Sequence, residues 1–221
     1  MALVPSTYAG VADIVATLVL LTEFAMLRAA LLRSQVRIYA FQSLVVTALT
    51  LDIAAVRHIG ALYALAALTF VLKVVIVPAL VSRLLHDADV DLAGSPVLGV
   101  ASMALIAIAV SAFGFFAAGS LHVHSPTLPT TALAIALAAV LVAFVLIVLR
   151  ADVVSQAMGF FSVENSVYVA TLVLAAGLPL ILEVAFLVDL LVAVVVIGVI
   201  MRVHHGRTRT LSTEELDRLK G

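Results

Sequence analysis

The sequence predicts an all-α integral membrane protein with about seven transmembrane helices, on the basis of its composition and of its apolar runs. Of its 221 residues, 65% are hydrophobic and 11% are charged, and the mean hydropathy is +1.29. Soluble domains carry roughly 25% charged residues. The apolar runs reach about 18 residues or more, which is enough to cross a hydrocarbon core as helix. They are continuous rather than alternating, which favours helices over the strands of a barrel.

Charged residues, glycine and proline divide the chain into seven predicted spans, and the linkers between them leave no room for a soluble domain. The first span lacks the basic start and small-residue cleavage site of a signal peptide, so we expect it to be a membrane helix. The predicted spans lie near 9–32, 37–56, 60–84, 96–119, 130–150, 154–176 and 179–202.

The spans group into two predicted three-helix units, 1–95 and 130–202, which are joined by a linking helix and loop at 96–129 and followed by a polar tail at 203–221. Span 3 (LTFVLKVVIVPALVSRLLHD) is similar to span 7 (VAFLVDLLVAVVVIGVIMRVHH) and aligns Lys73 with Asp189. Because four crossings separate the two units, they would run in the same direction and form a parallel repeat. Chance similarity of Leu/Val/Ala-rich sequence is the alternative.

The arginines predict how the chain is oriented in the membrane. Arg57 is the only arginine near one face, whereas eight arginines lie at or beyond the opposite face: Arg28, Arg33, Arg37, Arg83, Arg150, Arg202, Arg207 and Arg209. The positive-inside rule therefore places the N-terminus outside and the C-terminus inside. The acidic segment 86–94 (HDADVDLAG) then lies inside, where we expect a solvated loop.

Several classes of function are disfavoured by the composition. The net charge of −1 argues against nucleic-acid binding, and the absence of cysteine excludes disulfides and thiolate ligation of iron–sulfur clusters within this chain. His122 and His124 have a spacing that a metal could use, but no carboxylate lies near them, so an exposed loop is the favoured interpretation. We therefore expect no cofactor and no metal site, and any redox chemistry would belong to a partner.

Ionisable residues lie inside the predicted spans, at similar depths. Glu164 and Asp189 lie 13 residues before and 12 residues after Gly177, in the turn between the last two spans. At about 1.5 Å per residue, both are about 18–20 Å from that turn. Lys73 lies 13 residues after the glycine that begins span 3, so its depth is similar, and Glu23 is also well inside span 1.

A charge at the centre of a bilayer is costly, by about 2.5–3.5 kcal/mol on insertion scales and more than about 10 in simulations. Such groups are therefore paired, neutralised or hydrated. One interpretation is that a structural Glu or Asp forms a static pair with Lys73 and holds helices together. Four ionisable groups at similar depth instead favour a polar axis used by protons. Glu183, nearer the outer side, belongs either to that axis or to a hydrated rim.

Several stretches resemble hydrogenase-4 component E, a membrane subunit of formate hydrogenlyase-type group 4 nickel–iron hydrogenase complexes. The C-terminal part of that family is similar to MGFFSVENSVYVATLVL, EVAFLVDLLVAVVVIGVIMRVHH and the tail TLSTEELDRLKG. Its second and third helices are similar to RIYAFQSLVVTAL and FVLKVVIVPALVSR. The resemblance runs from Arg37 onward and is most specific at Glu-Asn-Ser, at the Lys73-x-x-x-x-Pro78 spacing and at the tail.

The last three spans also resemble the K-type subunit of respiratory complex I and the C-type subunit of multisubunit sodium/proton antiporters. In that family, one glutamate on each of the last two helices lies on the proton axis. Glu164 matches the first by its place before Asn165 and Ser166, and Asp189 matches the second by its distance from the terminal Arg-His cluster. Aspartate is one methylene shorter than glutamate, so its proton connection would need an intervening water.

The resemblance implies a non-catalytic membrane-arm subunit in a prokaryotic cytoplasmic membrane, beside antiporter-like subunits of a hydrogenase or formate-oxidising complex. The residues expected to contribute to a proton route are Glu164, Asp189, Lys73, Glu23 and Glu183. Two alternatives stay open. One is a structural scaffold whose charges form static pairs, and the other is an independent small transporter.

Overall fold

The computed structural model describes residues 6–88, 91–94, 97–120 and 130–174, and this part of the chain is helical. The predicted last span, with Glu183 and Asp189, and the polar tail lie outside the described residues. The helices are α1 (Ser6–Arg28), α2 (Leu32–Arg57), α3 (Gly60–Thr69), a π-helical segment (Phe70–Ile76), α4 (Val77–Ala88), α5 (Val100–Ser120), α6 (Thr130–Leu149) and α7 (Val153–Leu174).

The described helices form six membrane spans by length and apolarity, because α3, the π-helical segment and α4 run on as one helix over Gly60–His86. Large apolar side chains cover the outer surface, above all on α5, where Leu105 and Phe116 are 68% and 74% exposed. Such a surface suits a hydrocarbon environment. The prediction of an all-α membrane protein is confirmed, and the chain is a multi-pass membrane protein.

The bundle is organised around α6, which packs against α1, α5 and α7, while α2 packs against α1, α3 and α7. Helices α5 and α6 are in close contact at Gly114, where an added Cβ would lie 2.8 Å from the Cα of Ala138. Small residues commonly permit such close packing of membrane helices. The close approach therefore depends on the missing side chain at this position.

The third span widens into a π-helix just before Pro78. Proline lacks an N–H, and in an α-helix its ring collides with the carbonyl four residues back. Here the N–H of Val77 donates to the carbonyl of Leu72, five residues back, which is the wider π-helical turn. Lys73 is the buried residue of this segment. The wide turn that precedes the proline is therefore also the turn that carries the buried lysine.

The connection between α1 and α2 differs from the prediction. The predicted first and second spans, 9–32 and 37–56, leave the residues between them as a linker, which is wrong, because α2 already begins at Leu32 and the turn occupies 29–31. The physical reason lies in Gln35, which is buried and donates from Nε2 to the carbonyl of Ala29 at 3.1 Å. Arg33 and Arg37 remain exposed on the outer side of the same helix.

The sequence predicts a solvated loop at 86–94, but its return segment 91–94 is attached to the α1–α2 turn. The N–H of Leu32 donates to the carbonyl of Asp91, and the N–H of Ala93 donates to the carbonyl of Ala30, both at 2.9 Å. The Asp91 carboxylate also pairs with Arg33 at 3.1 Å, with both side chains about half exposed. Backbone pairing therefore fixes this part of the loop.

Arg150 anchors the same face of the bundle from the α6–α7 turn. Its side chain is 5% exposed, and Nη2 donates to the carbonyls of Leu27 and Ala29 at 2.7 and 2.9 Å. A cation at these carbonyls also complements the negative end of the α1 dipole. Burial lowers the pKa of the Arg150 guanidinium, and the nearby Asp152 carboxylate opposes that shift. Arg150 is therefore a structural clamp as well as a marker of orientation.

Candidate functional site

Polar side chains from four spans meet in one cluster inside the bundle, which we call the buried polar network. All of its members except Glu164 are at most 8% exposed, and the Glu164 side chain is 14% exposed. The network consists of Thr22, Glu23, Gln42, Ser43, Lys73, Ser162, Glu164, Asn165 and Ser166.

One end of the network is an ion pair between the third span and α7. Lys73 Nζ lies 2.7 Å from Oε1 of Glu164, and the lysine side chain is 3% exposed. The sequence expectation gave these two residues similar depths, and the structure brings them into direct contact. A buried pair of this kind is held by strong attraction but also costs desolvation of both charges.

The other end of the network is Glu23 on α1, which is fully buried. Its Oε1 accepts hydrogen bonds from Gln42 Nε2 at 2.9 Å, from Ser162 Oγ and from Ser166 Oγ at 3.4 Å. Its second oxygen, Oε2, has no hydrogen-bond partner among the described residues. Glu23 thus lies between α2 and α7, and one of its carboxylate oxygens accepts three hydrogen bonds.

Asn165 joins the two ends. Its Oδ1 accepts a hydrogen bond from Lys73 Nζ at 3.1 Å. Its Nδ2 donates to Gln42 Oε1 at 3.0 Å and to Ser43 Oγ at 2.9 Å. A continuous series of contacts therefore runs from the lysine on the third span, through α7 and α2, to the glutamate on α1.

Helical spacing explains why α7 can contribute to both ends. Ser162, Asn165 and Ser166 are three and four residues apart, so they share one face, which points at α1 and α2. Glu164 is two residues from Ser162 and therefore projects in a different direction, toward Lys73. One helix thus presents an uncharged polar face to Glu23 and a carboxylate to Lys73.

The sequence reasoning identified the charged members and missed the neutral ones. The sequence predicts Glu23, Lys73 and Glu164 as site residues, whereas it does not predict Gln42, Ser43 and Ser162. A signal was present, since Gln42 and Ser43 interrupt an apolar span and Asn165 belongs to the Glu-Asn-Ser motif. Intramembrane polar residues of this kind usually face the interior of a bundle. Asp189 and Glu183 lie outside the described residues, so their place in the network stays a prediction.

The described residues contain no group of three or more His, Cys, Asp or Glu side chains arranged to hold a metal ion. His122 and His124 fall outside this part of the chain. The network combines two carboxylates with an ammonium group, amides and hydroxyls, so it contains both hydrogen-bond donors and hydrogen-bond acceptors.

The fold and the network define a class: a multi-pass α-helical membrane protein with interconnected ionisable groups inside its bundle. No family model matches the chain, and no solved structure matches it. The chain belongs to the same family as Uncharacterized protein Rv0085 of Mycobacterium tuberculosis. The two are 30% identical over 191 residues, which cover 86% of this chain and 85% of that protein.

The chain is also similar to proteins named hydrogenase-4 component E from Escherichia coli and Shigella flexneri. Identity with each is 26% over 206 residues, which cover 93% of this chain and 95% of the relative. The similarity therefore extends along nearly the whole length of both proteins.

Proposed function

We propose that this chain is a non-catalytic membrane-arm subunit of a complex I-like, energy-converting oxidoreductase of the hydrogenase-4 or formate hydrogenlyase type. Its near full-length similarity to hydrogenase-4 component E supports this assignment. Its setting would be a prokaryotic cytoplasmic membrane, and its partners would be antiporter-like and other membrane-arm subunits. Electron transfer would take place in other chains of the complex.

The observation that carries the proposed role is the continuous network between Glu23, Lys73 and Glu164 inside the bundle. Three ionisable groups from three spans are costly to keep within a membrane, and such groups commonly mark proton routes. These three residues would contribute to a proton route coupled to redox chemistry in the partners. Asp189 and Glu183 on the predicted last span would extend it.

The Lys73–Glu164 pair would change its net charge when a proton arrives. A proton that reaches the Glu164 carboxylate neutralises it and leaves Lys73 as an uncompensated cation. Lys73 then tends either to lose its own proton or to attract the next carboxylate. Groups at this separation titrate as a pair rather than singly. The contact thus provides a site that can accept a proton at one end and influence a second site at the other.

Purification in mild detergent from the native membrane tests membership of such a complex. The tagged full-length chain would be isolated and its companions identified by mass spectrometry. We expect antiporter-like subunits together with nickel–iron hydrogenase or formate dehydrogenase chains. A solitary, monodisperse chain would contradict the proposal and would favour an independent small transporter.

A structural scaffold is the second candidate, and the direct contact between Lys73 and Glu164 favours it. In that case the pair serves only to dock the third span against α7. Glu164→Gln would then leave both redox turnover and proton movement unchanged in a complex whose assembly has been verified.

A further inference from the structure

The side-chain amides of Asn165 and Gln42 lie in series between the Lys73–Glu164 pair and Glu23, and we call these two amides the amide bridge. We propose that the amide bridge transmits the charge state of the Lys73–Glu164 pair to Glu23 without carrying a proton. Its two residues would then be positioning residues, since they act through the ionisable groups at either end.

The chemistry of lysine fixes the orientation of both amides. An ammonium group can only donate, so the oxygen of Asn165 must face Lys73, as it does at 3.1 Å. The Asn165 nitrogen then faces the oxygen of Gln42 at 3.0 Å, and the Gln42 nitrogen faces Glu23 at 2.9 Å. Every donor therefore points from the cation toward the carboxylate.

Hydrogen bonds aligned in this way strengthen one another. Each amide is polarised by the charge at its end, and low dielectric surroundings increase the effect. Asn165 and Gln42 are both fully buried, so water does not screen the series. A change of charge at the lysine end should therefore alter the strength of the hydrogen bond that Glu23 accepts.

The same amides should not relay protons. Side-chain amides are not among the groups that titrate in the ordinary pH range. Their donor and acceptor functions also reside on different atoms, so a proton received by the oxygen is not the one that the nitrogen donates. The bridge thus connects Glu23 and Glu164 electrically, and a proton exchanged between them in the proposed route would pass through groups other than these two amides.

Ser162 provides a responsive element at the Glu23 end. Its Oγ lies within hydrogen-bond distance of Glu23 Oε1 and 2.8 Å from Gln42 Oε1. A hydroxyl has one proton, so it can donate to only one of these oxygens at a time. The direction of the Ser162 hydroxyl can therefore follow the charge on Glu23.

The inference deepens the proposed function and rests on it for the proton roles of Glu23 and Glu164. The electrical coupling, however, is a property of the chain itself and can be measured on the full-length protein in lipid nanodiscs. Infrared spectroscopy would detect the Glu23 carboxyl band, identified by its loss in Glu23→Gln. The perturbation would be Glu164→Gln, which removes one charge of the ion pair and keeps Lys73.

We expect Glu164→Gln to shift the Glu23 band in the otherwise wild-type chain. In a chain that already carries Asn165→Leu, adding Glu164→Gln should not shift the Glu23 band. The band should stay at the position it has in the Asn165→Leu single variant. Gln42→Met interrupts the series at the second amide and should have the same effect, so the test does not depend on one variant folding. Ser43→Ala is the matched control, because it removes the other hydrogen bond of Asn165 and keeps the bridge.

Two results would overturn the inference. A shift of equal size with the bridge intact and interrupted would show that the field acts through space alone. No shift in the wild-type background would show that the two ends are not coupled. Either result leaves the co-purification outcome unaffected, and a chain that purifies alone would defeat the proposed complex while leaving this spectroscopic comparison intact.

Discussion

At the scale of single residues, Lys73 is a charged side chain buried among mostly apolar residues. It is a cation that is 3% exposed within a span whose other residues are mostly apolar. Contacts to Glu164 at 2.7 Å and Asn165 at 3.1 Å offset the loss of water. Removal of one partner of a buried pair usually costs more than removal of both, because one charge is then left uncompensated.

We therefore expect Lys73→Met alone to destabilise the purified chain by about 3–5 kcal/mol. The double substitution Lys73→Met with Glu164→Gln should recover most of that loss, since neither charge remains. Unfolding of the single and double variants in detergent would measure the difference. Strictly additive losses would contradict the view that the two side chains stabilise the bundle as a pair.

Sequence reasoning works at this scale for charges and fails for amides. Glu23, Lys73 and Glu164 could be predicted because a charge inside an apolar span is costly and conspicuous. Gln42 and Asn165 are neutral, so they stand out less, and their partners depend on how α2 and α7 are rotated about their axes. That rotation follows from packing across the bundle, which a single sequence does not determine.

At the scale of the helices, close contact between α5 and α6 depends on a missing side chain. An added Cβ at Gly114 would meet the backbone of Ala138 at 2.8 Å, whereas one at Gly119 on the same helix would meet nothing within 4 Å. Backbone atoms cannot move aside as a flexible side chain can. Gly119 is therefore a suitable control position for a substitution at Gly114.

Gly114→Ala should destabilise the chain by about 1–3 kcal/mol, the usual range for overpacking, while Gly119→Ala should be close to neutral. Thermal unfolding of both variants in the same detergent would compare them. Equal effects of the two substitutions would show that helix propensity, rather than the α5–α6 contact, controls the outcome.

The turns at the predicted inner face are held together by the Arg150 side chain. Its guanidinium binds the carbonyls that end α1, and Asp152 accepts from the N–H of Gly94 at 3.0 Å. The exposed Arg33–Asp91 pair lies on the same face and provides a comparison. Surface ion pairs contribute about 0–1 kcal/mol, whereas buried carbonyls that lose a charged donor cost more.

We expect Arg150→Met to speed amide hydrogen exchange of segment 91–94 strongly and Arg33→Gln to change it little. Mass spectrometry of peptides from this segment would measure the exchange. If Arg33→Gln loosened the segment as much as Arg150→Met, the exposed ion pair would be its principal anchor, and the clamp assigned to Arg150 would be wrong.

The ends of the helices show why sequence rules miss boundaries. Two arginines at 33 and 37 suggested a linker, yet both lie on the exposed side of α2, where an arginine is compatible with a helix near the membrane surface. The long-range hydrogen bond from Gln35 to the end of α1 helps to determine the turn. Proline at 78 was visible in the sequence, but the π-helical turn before it was not predicted.

At the scale of the whole molecule, hydropathy predicted the class of fold because length and apolarity alone identify membrane helices. All six spans that were expected within the described residues are present. The parallel repeat of 1–95 and 130–202 stays a prediction, since its second unit continues beyond the described residues. The orientation, with the N-terminus outside, also stays a prediction and rests on the distribution of arginines.

The absence of cysteine makes that orientation directly testable by single-cysteine labelling. Gly60→Cys lies at the start of α3 with open space around it, and Leu92→Cys replaces a side chain that is 71% exposed at the opposite face. A membrane-impermeant thiol reagent applied to intact cells should label Gly60→Cys. It should label Leu92→Cys only after the membrane is opened. The reverse pattern would contradict the predicted orientation.

The central claim is that the buried network serves proton movement in a redox-driven complex, and Glu164→Gln in the assembled native complex tests it most directly. The measurement is the number of protons translocated per redox turnover, with assembly verified by co-purification. Asp13→Asn is the control, because its carboxylate lies outside the network and accepts a hydrogen bond from Thr131 at 2.8 Å. We predict that the Glu164→Gln complex, once its assembly has been verified, has lost most proton translocation, while the Asp13→Asn complex retains it. An unchanged ratio in Glu164→Gln would contradict the account and leave the network as a scaffold.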